Sequence, residues 1–443
     1  MEFGTAGIRG PVTRVTPEMA LTVGRAAGTD AREAGKPLVI GRDGRTTGEA
    51  LVAAAEAGAI SAGATVKQAG ELPTPALAYA SQGQYGMMLT ASHNPPSDNG
   101  IKLFMNGGEY DRTAERRIER RVADDVPPVP WNEYGTREEI APLSTYRDAV
   151  AAYARDFGEE PAFEVAVDCG NGMAAHATPQ VLRALGGKIV ALHANVDGHF
   201  RARESKPTPE TLGDLREFVA DGSATLGIAH DGDADRIVIV DGDGDVVHED
   251  TVLAILAEYY VRQSDAANPV VVTTPNASSR IDERVAVAGG TTERVRLGAL
   301  HEGIAEAEGT VVFAAEPWKH IHPAVGGWRD GVTSAAVFVR LVAEHGLDGL
   351  RDPVSERPYR KVSVTCPDER KLAAMEQLET QLPDLFPEAT VDTEYGVRLT
   401  LDDGWLLVRP SGTESYLRLY AESERVDALV STVKAEIERA ASG

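Results

Sequence analysis

A chain of 443 residues with 42% apolar content is long for one domain, can fill several cores, and is not a disordered protein. Its formal charge of −24 argues against nucleic acid as the main partner, because phosphate backbones select basic surfaces. Cys169 and Cys366 lie far apart in no metal or redox spacing, no signal peptide precedes "MEFGTAGIRG", and no apolar run is long enough to span a membrane. A cytosolic, disulfide-free chain is therefore expected, with no membrane partner. Nine lysines against 35 arginines, among abundant acidic residues, read as a salt-adapted, halophilic surface. Ordinary acidic solubility is the plainer account.

Short β-branched runs alternate with Ala-rich helical stretches, the pattern of α/β units around largely parallel sheets. "TPEMALTVGRAAGTDAREAG" opens with Thr16 at an N-cap position and Pro17 in the first turn, and Gly35 stands past its end, so a helix is expected between them. "PLVIG" (37–41) reads as a buried strand and "GEALVAAAEAGAISAG" as a helix. "YGMMLTA" (85–91) reads as a strand ending at Ser92, at the strand end where such sheets gather ligands. The pattern recurs from "FEVAVDCGNG" (163–172), whose late strand "ATLGIAH" (224–230) runs into "DGDADR". It recurs again from "NPVVVTTPNASS", whose late strand "TVVFAA" (310–315) runs into "EPWKHIHP". Proline and acidic stretches near 125–140 and 350–358 are the best linkers. Beyond them "KVSVTC", a helix around 368–384, further strands and a terminal amphipathic helix suggest a small α+β domain. The expected domains are 1–137, 138–243, 244–355 and 356–443.

Four segments carry chemistry. "TASHNPPSDNGIK" (90–102) sets Ser92 beside His93, with Lys102 ten residues on, and a serine is a weak nucleophile until something activates it. In "HDGDADR" (230–236) Asp231, Asp233 and Asp235 alternate, so three hard carboxylate oxygens can converge on one Mg²⁺; the plainer account is a solvated acidic turn. An EF-hand is excluded, because Arg236 and Gly242 stand where its glycine and terminal glutamate belong. The nearby "DGDGD" (241–245) reads as a hairpin turn. "FGTAGIRG" (3–10) places Arg9 among glycines, suited to phosphate oxygens or simply to a tight turn. "RPSGTES" (409–415) gathers Arg409, Ser411, Gly412 and Thr413 in one loop, a donor set for a phosphate dianion or an ordinary turn between strands. No P-loop, kinase glycine loop or dinucleotide fingerprint stands in a convincing context. The set suits phosphoryl transfer, and a phosphate tethered to Ser92 fits better than a nucleotide.

In order along nearly the whole chain, "FGTAGIRG", "TASHNP", "NGIK", "DGDADR" and "RPSGTE" resemble the α-D-phosphohexomutase family of phosphoglucomutase, phosphomannomutase and phosphoglucosamine mutase. The resemblance implies three similar α/β domains with mixed, largely parallel sheets and a mobile C-terminal α+β domain, around a central cleft. By it the four domains carry, in turn, the phosphoserine loop, the metal loop, the sugar-recognition loop and the phosphate-binding loop. It implies that Ser92 is the phosphoserine and that Asp231, Asp233 and Asp235 hold Mg²⁺ with a phosphoserine oxygen. Arg9 and Arg236 would stabilise the transferring group, and His93 and Lys102 are the acid/base candidates, Lys102 preferred as base. Arg409, Ser411, Gly412 and Thr413 would hold the phosphate that is not reacting. The implied reaction moves a phosphoryl group between the 1-position and the terminal hydroxyl of an aldose phosphate through a bisphosphorylated sugar, which also serves as activator. A monomer or homodimer is expected.

The third-domain loop departs from the family's GE-x-SGH pattern. In "AEPWKH" (315–320) Glu316 and His320 keep their places as candidates for sugar hydroxyls, but Trp318 and Lys319 replace the serine and second glycine. Trp318 stacks on a sugar, narrows the pocket, or packs beneath the loop; Lys319 reaches a phosphate or hydroxyl, or faces solvent. A hexose or hexosamine phosphate is the first expectation and a pentose phosphate the alternative. A Mg-dependent sugar-phosphate phosphatase or a non-catalytic sugar-phosphate sensor ranks below both.

Overall fold

The computed structural model describes residues 3–4, 7–411 and 414–442. Gly412 and Thr413 lie outside the described residues. The chain packs as two units, one of Met1–Val252 with Val312–Arg351 and the other of Leu253–Val311 with Asp352–Gly443.

The first unit opens with strands β1 (Ile8–Pro11), β2 (Leu38–Arg42), β3 (Val66–Glu71), β4 (Tyr85–Leu89), β5 (Asp98–Met105), β6 (Gly108–Glu109) and β7 (Arg137–Glu139). They form one sheet in the order β1-β5-β4-β2-β3-β7, with β6 beside β5. Strand β2 lies parallel to both β3 and β4, while β5 folds back antiparallel on β4. Arg42 pairs with Leu89, so the segments that follow β2 and β4 leave the sheet side by side. The expected first helix is Pro17–Glu33, where the Thr16 hydroxyl accepts the Met19 N–H at 3.4 Å and Gly35 turns left-handed at φ 64°. The Ala-rich helix Gly48–Ser61 packs tightly against it. A Cβ on Gly58 would sit 2.0 Å from the Leu21 carbonyl oxygen, so a glycine is required there. The strand expected over 85–91 ends at Leu89, because Ser92 takes a left-handed turn at φ 52°.

Strands β8 (Glu164–Asp168), β9 (Lys188–Leu192), β10 (Leu226–Ala229) and β11 (Val238–Val240) follow in the order β11-β10-β8-β9. Strand β8 is parallel to β9 and β10, and β11 is antiparallel to β10. The expected "DGDGD" turn is present: the Asp241 N–H donates to the Asp245 carbonyl at 2.9 Å, beyond β11.

The chain leaves this unit within the helix Glu249–Gln263 and builds β12 (Pro269–Thr273) and β13 (Thr291–Arg294), a parallel pair in the second unit. It re-enters the first unit within β14 (Thr310–Glu316), turns into β15 (Lys319–Ile321) as an antiparallel hairpin, and continues into the helix Gly331–His345. The second unit ends in β16 (Tyr359–Thr365), β17 (Thr390–Asp392), β18 (Val397–Leu401), β19 (Gly404–Pro410) and β20 (Tyr416–Ser423). This antiparallel sheet, in the order β16-β20-β19-β18-β17, buries one apolar cluster with the helices Lys371–Leu385 and Val426–Ser442. The architecture is three mixed, mostly parallel α/β domains followed by an antiparallel α+β domain. Among the described residues no helix is long and apolar enough to cross a membrane.

Candidate active site

Ser92 follows the carboxyl end of β4 and is 1% exposed. Its left-handed backbone is uncommon for a non-glycine residue and is held by neighbours rather than by local preference. The hydroxyl donates to Asp231 Oδ2 at 2.7 Å and lies 3.3 Å from His93 Nδ1. Asp231, Asp233 and Asp235 follow β10 in a tight loop whose Ala234 is also left-handed, at φ 60°. Gly232 is obligatory in that loop, since a Cβ there would stand 2.7 Å from the Ser92 carbonyl oxygen. The three aspartates are buried, with one oxygen from each within 4.8 Å of the others.

Their electrostatics fit a divalent cation. Asp233 Oδ1 and Asp235 Oδ1 are buried with no hydrogen-bond partner. Burial, together with the charges of Asp235 and Asp233, pushes the Asp231 carboxyl well above its ordinary range. Three hard oxygen donors that resist sharing negative charge, two of them aimed at no proton donor, are the donor set of a Mg²⁺-type ion.

Lys102, on β5, donates at 2.8 Å to Asp233 Oδ2 and at 2.8 Å to Asp235 Oδ2. Burial opposes its charge, yet the two carboxylates outweigh burial and raise its pKa above the ordinary lysine value. Burial likewise opposes ionisation of Asp235, but Lys102 and Arg236 hold its carboxyl well below the usual range. The two carboxylates thus favour the ammonium form of Lys102. His93 is the opposite case. Burial, then the neighbouring Arg236 and Arg9, lower its pKa to about 2, so it is neutral. Its Nε2 faces Arg236 Nη2 at 3.4 Å, and a guanidinium can only donate, so the tautomer satisfying both contacts carries its proton on Nδ1, toward Ser92 Oγ. Arg236 Nε also stands 3.7 Å from Asp231 and 3.9 Å from Asp235. Arg9, on β1, keeps a buried Nε with no partner.

Comparison with known proteins follows the same segments. Residues 1–127, 144–244 and 248–358 match the phosphoglucomutase/phosphomannomutase alpha/beta/alpha domains I, II and III, and residues 362–440 match the C-terminal domain. A phosphopentomutase of Thermococcus kodakarensis is 40% identical, over 95% of this chain and 93% of its own. A probable phosphoglucosamine mutase of Methanopyrus kandleri is also 40% identical, over 95% and 94%. The chain belongs to the phosphoglucomutase/phosphomannomutase family. A family structure from Burkholderia thailandensis shares the fold at TM-score 0.86 and 24% identity, covering 98% of this chain and 96% of that one. An Aspergillus fumigatus N-acetylphosphoglucosamine mutase, solved with GlcNAc-6P and magnesium, shares it at TM-score 0.63 and 15% identity, over 100% and 96%. As a member of this family the protein is a phosphosugar mutase, an isomerase that transfers a phosphoryl group within its substrate.

The loop between β14 and β15, expected to recognise the sugar, distributes its four expected residues unevenly. Glu316 and Lys319 face each other at 3.6 Å, and Glu316 lies 3.6 Å from Arg329. Burial first, with Arg329 and Arg236 adding to it against Glu316, lowers the Lys319 pKa to about 8. Trp318 takes a left-handed backbone at φ 69° and packs against the apolar cluster of the second α/β domain, beneath the loop. His320 is 1% exposed, with Nδ1 3.0 Å from Ser334 Oγ and burial lowering its pKa to about 3. His320 is buried and Trp318 half-buried, whereas Glu316 and Lys319 share the electrostatic neighbourhood of Asp235 and Arg236.

In the second unit, Arg409 Nη2 donates to the Tyr420 hydroxyl at 3.1 Å while its Nε is buried without a partner. The Ser411 hydroxyl accepts the Glu414 N–H at 3.1 Å. Lys371 closes this loop from outside, donating at 2.7 Å to the carbonyls of both Ser411 and Glu414.

Sequence reading missed three groups at the first-unit site. Thr74 donates to Asp233 Oδ2 at 2.6 Å. Arg329 joins Glu109 at 2.8 Å to the sugar loop. Asp43 and Arg45, in "GRDGR" after β2, meet the serine loop directly. The available signal was positional: an Asp-x-Arg pair at the carboxyl end of a buried strand is where such sheets assemble sites.

Proposed function

We propose that this mutase works through phosphorylated Ser92, moving a phosphoryl group between the 1-position and the terminal hydroxyl of an aldose phosphate. The observation that carries the reading is the Ser92 hydroxyl 2.7 Å from Asp231, inside a triad with two unpartnered carboxylate oxygens. Asp231, Asp233 and Asp235 are the residues that would hold Mg²⁺, which when bound supplies positive charge to the phosphoryl oxygens.

The sugar hydroxyl attacks phosphorus as its O–H bond breaks, the bond from phosphorus to Ser92 Oγ breaks, and Oγ keeps that electron pair and takes up the released proton, which restores the serine hydroxyl. His93, neutral with its proton on Nδ1, donates a hydrogen bond to that departing oxygen. Arg9 and Arg236 neutralise charge developing on the equatorial oxygens. The bisphosphorylated sugar then reverses, and its other phosphate returns to Ser92. Lys102 keeps Asp233 and Asp235 in place as a fixed cation. Arg409 and Ser411, together with Gly412 and Thr413, are the donor set proposed for the phosphate that does not react. A bisphosphorylated sugar is the activator, since a serine that has lost its phosphate must be primed.

A hexose or hexosamine phosphate stands as the first substrate class. One observation favours a pentose: the long Lys319 side chain lies near Asp235 and Arg236 where the family pattern has glycine, leaving less room for a sugar. The phosphopentomutase relative supports that second reading. The test is a panel of α-1-phosphates of glucose, mannose, glucosamine, ribose and deoxyribose, followed by ³¹P NMR with Mg²⁺ and a catalytic amount of bisphosphorylated sugar. Migration of the monoester to the terminal carbon is expected, and a chelator should stop it. Net release of inorganic phosphate as the main product would replace the mutase reading with a phosphatase.

A further inference from the structure

Arg45 lies three residues past the end of β2 and is 2% exposed, yet it belongs to none of the segments that carry the chemistry. A guanidinium has five N–H donors. Here each finds an acceptor. Nε donates to Asp43 Oδ2 at 3.0 Å, Nη1 to the Pro95 and Asp98 carbonyls at 2.6 and 3.0 Å, and Nη2 to the Ser92 and Asn94 carbonyls at 2.9 and 2.8 Å. The planar group also lies over the Phe200 ring, 5.1 Å from its centroid. Four of the five acceptors are backbone oxygens of the loop that carries Ser92, and no donor is left for a substrate.

Asp43 completes the frame from the other side. It accepts the Thr90 hydroxyl at 2.6 Å, and Thr90 Oγ1 accepts the Ser92 N–H at 2.9 Å. The Ser205 hydroxyl adds a contact to the Ser92 carbonyl at 3.2 Å. Both the N–H and the carbonyl of Ser92 are therefore fixed, which accounts for a serine persisting in left-handed backbone. A buried, charge-balanced Asp43–Arg45 pair, 3.0 Å apart, is rigid in a way an exposed pair is not.

We infer that Arg45 is the positioning residue of the phosphoryl-carrying serine: it sets where Ser92 Oγ stands relative to Asp231 and keeps the loop closed around it. This rests on the phosphoserine reading above. Lysine cannot reproduce it, because one ammonium cannot span four carbonyls and a carboxylate in a plane.

The test uses the full-length protein with α-glucose 1-phosphate or α-ribose 1-phosphate, whichever the unaltered protein isomerises. Arg45→Lys should lower kcat by about 10²-fold, the scale of a displacement of about 1 Å at a reacting atom, with KM changed by no more than about threefold. It should also raise the inorganic phosphate released per sugar isomerised, because a loosened loop admits water to the phosphoserine. Ser205→Ala, which removes a single contact to the same carbonyl, should move both quantities in the same direction by a smaller factor. A kcat for Arg45→Lys within about threefold of the unaltered protein overturns the inference. So does a fall that merely tracks the folded fraction with the phosphate leak unchanged. Should Arg45→Lys fail to fold, Ser205→Ala decides: a lower kcat with more leak supports the inference, and unchanged values overturn it. Failure of the function reading looks different, because there the unaltered protein moves no phosphoryl group at all.

Discussion

Two loops in this molecule are tied by the same device and to different degrees. The Ser92 loop gives four carbonyls to Arg45, whose side chain is 2% exposed and backed by an equally buried Asp43. The 409–415 loop gives two carbonyls to Lys371, whose side chain is 14% exposed and backed by Asp368 at 70%. A planar, desolvated guanidinium fixes a backbone; a partly exposed ammonium on a flexible stem, paired to an exposed carboxylate, only gathers one. The first arrangement suits a loop whose serine must stand within tenths of an ångström of its partners. The second suits the role proposed for that loop, which is to take up a phosphate and release it every turnover.

Replacing groups on either side tests this contrast, and the largest effect belongs to the rigid loop. Ser92→Ala should abolish isomerisation, by on the order of 10⁴-fold or more in kcat, measured with the primed enzyme by ³¹P NMR. Residual activity near the unaltered level would remove the phosphoserine mechanism. Asp233→Asn comes next: metal binding by calorimetry should be lost and kcat should fall by at least about 10²-fold, with Tm falling as Lys102 loses one of its carboxylates. On the looser loop Arg409→Met should raise KM by about tenfold while kcat changes less, the worth of one charge-assisted hydrogen bond. A kcat loss with unchanged KM would place Arg409 in the chemical step instead.

Acid should also separate the two units. Burial holds His93, His320 and His230 neutral, with pKa values of about 2, 3 and 4, against an ordinary value of 6.5. The unfolded chain takes up those protons at about pH 6.5 and the folded chain does not, so the stability is present above that pH and is lost as pH falls below it. His193, whose pKa Asp168 raises, works in the opposite direction. All four belong to the first unit, while the second carries one histidine, the half-buried His301. Hydrogen exchange at pH 5 against pH 7.5 should show the first unit losing protection sooner. Equal loss in both would count against the histidines as the cause. The smallest effect is expected at Trp318: Trp318→Ala should cost about 1–3 kcal/mol of stability through lost packing and leave KM within about twofold. A large KM change would put the indole against the sugar.

Much of this was legible because helices and strands here obey local rules: Thr16 and Gly35 do bracket the first helix, and "DGDGD" does close a hairpin. The three aspartates were legible because their spacing is itself the loop that assembles them. Arg45 was not, since its acceptors are main-chain oxygens, and main-chain oxygens leave no mark in a residue pattern. The ion pairs of Lys102 were not legible either, since its partners lie 131 and 133 residues away along the chain. Nor was the orientation of Trp318 legible, because it is set by a left-handed backbone and by half-burial against a cluster built from distant residues.

Main-chain bonds join the aspartate loop to two nearby points: the Ile237 N–H donates to the Trp318 carbonyl, in the turn of the β14–β15 hairpin, at 3.1 Å, and the Gly331 N–H, at the start of the helix Gly331–His345, donates to the Ala234 carbonyl at 3.3 Å. Bonds of this kind are indifferent to side chains, so the residues flanking Trp318 can be exchanged while the seam keeps its place. If Glu316 and Lys319 meet the sugar as expected, selectivity can therefore drift there, in evolution or in an engineer's library, without re-aiming the aspartates. The same seam sets a limit. Inserting or deleting one residue beside Trp318 would displace the first of these bonds, and a change made in the hairpin would be felt at the aspartates.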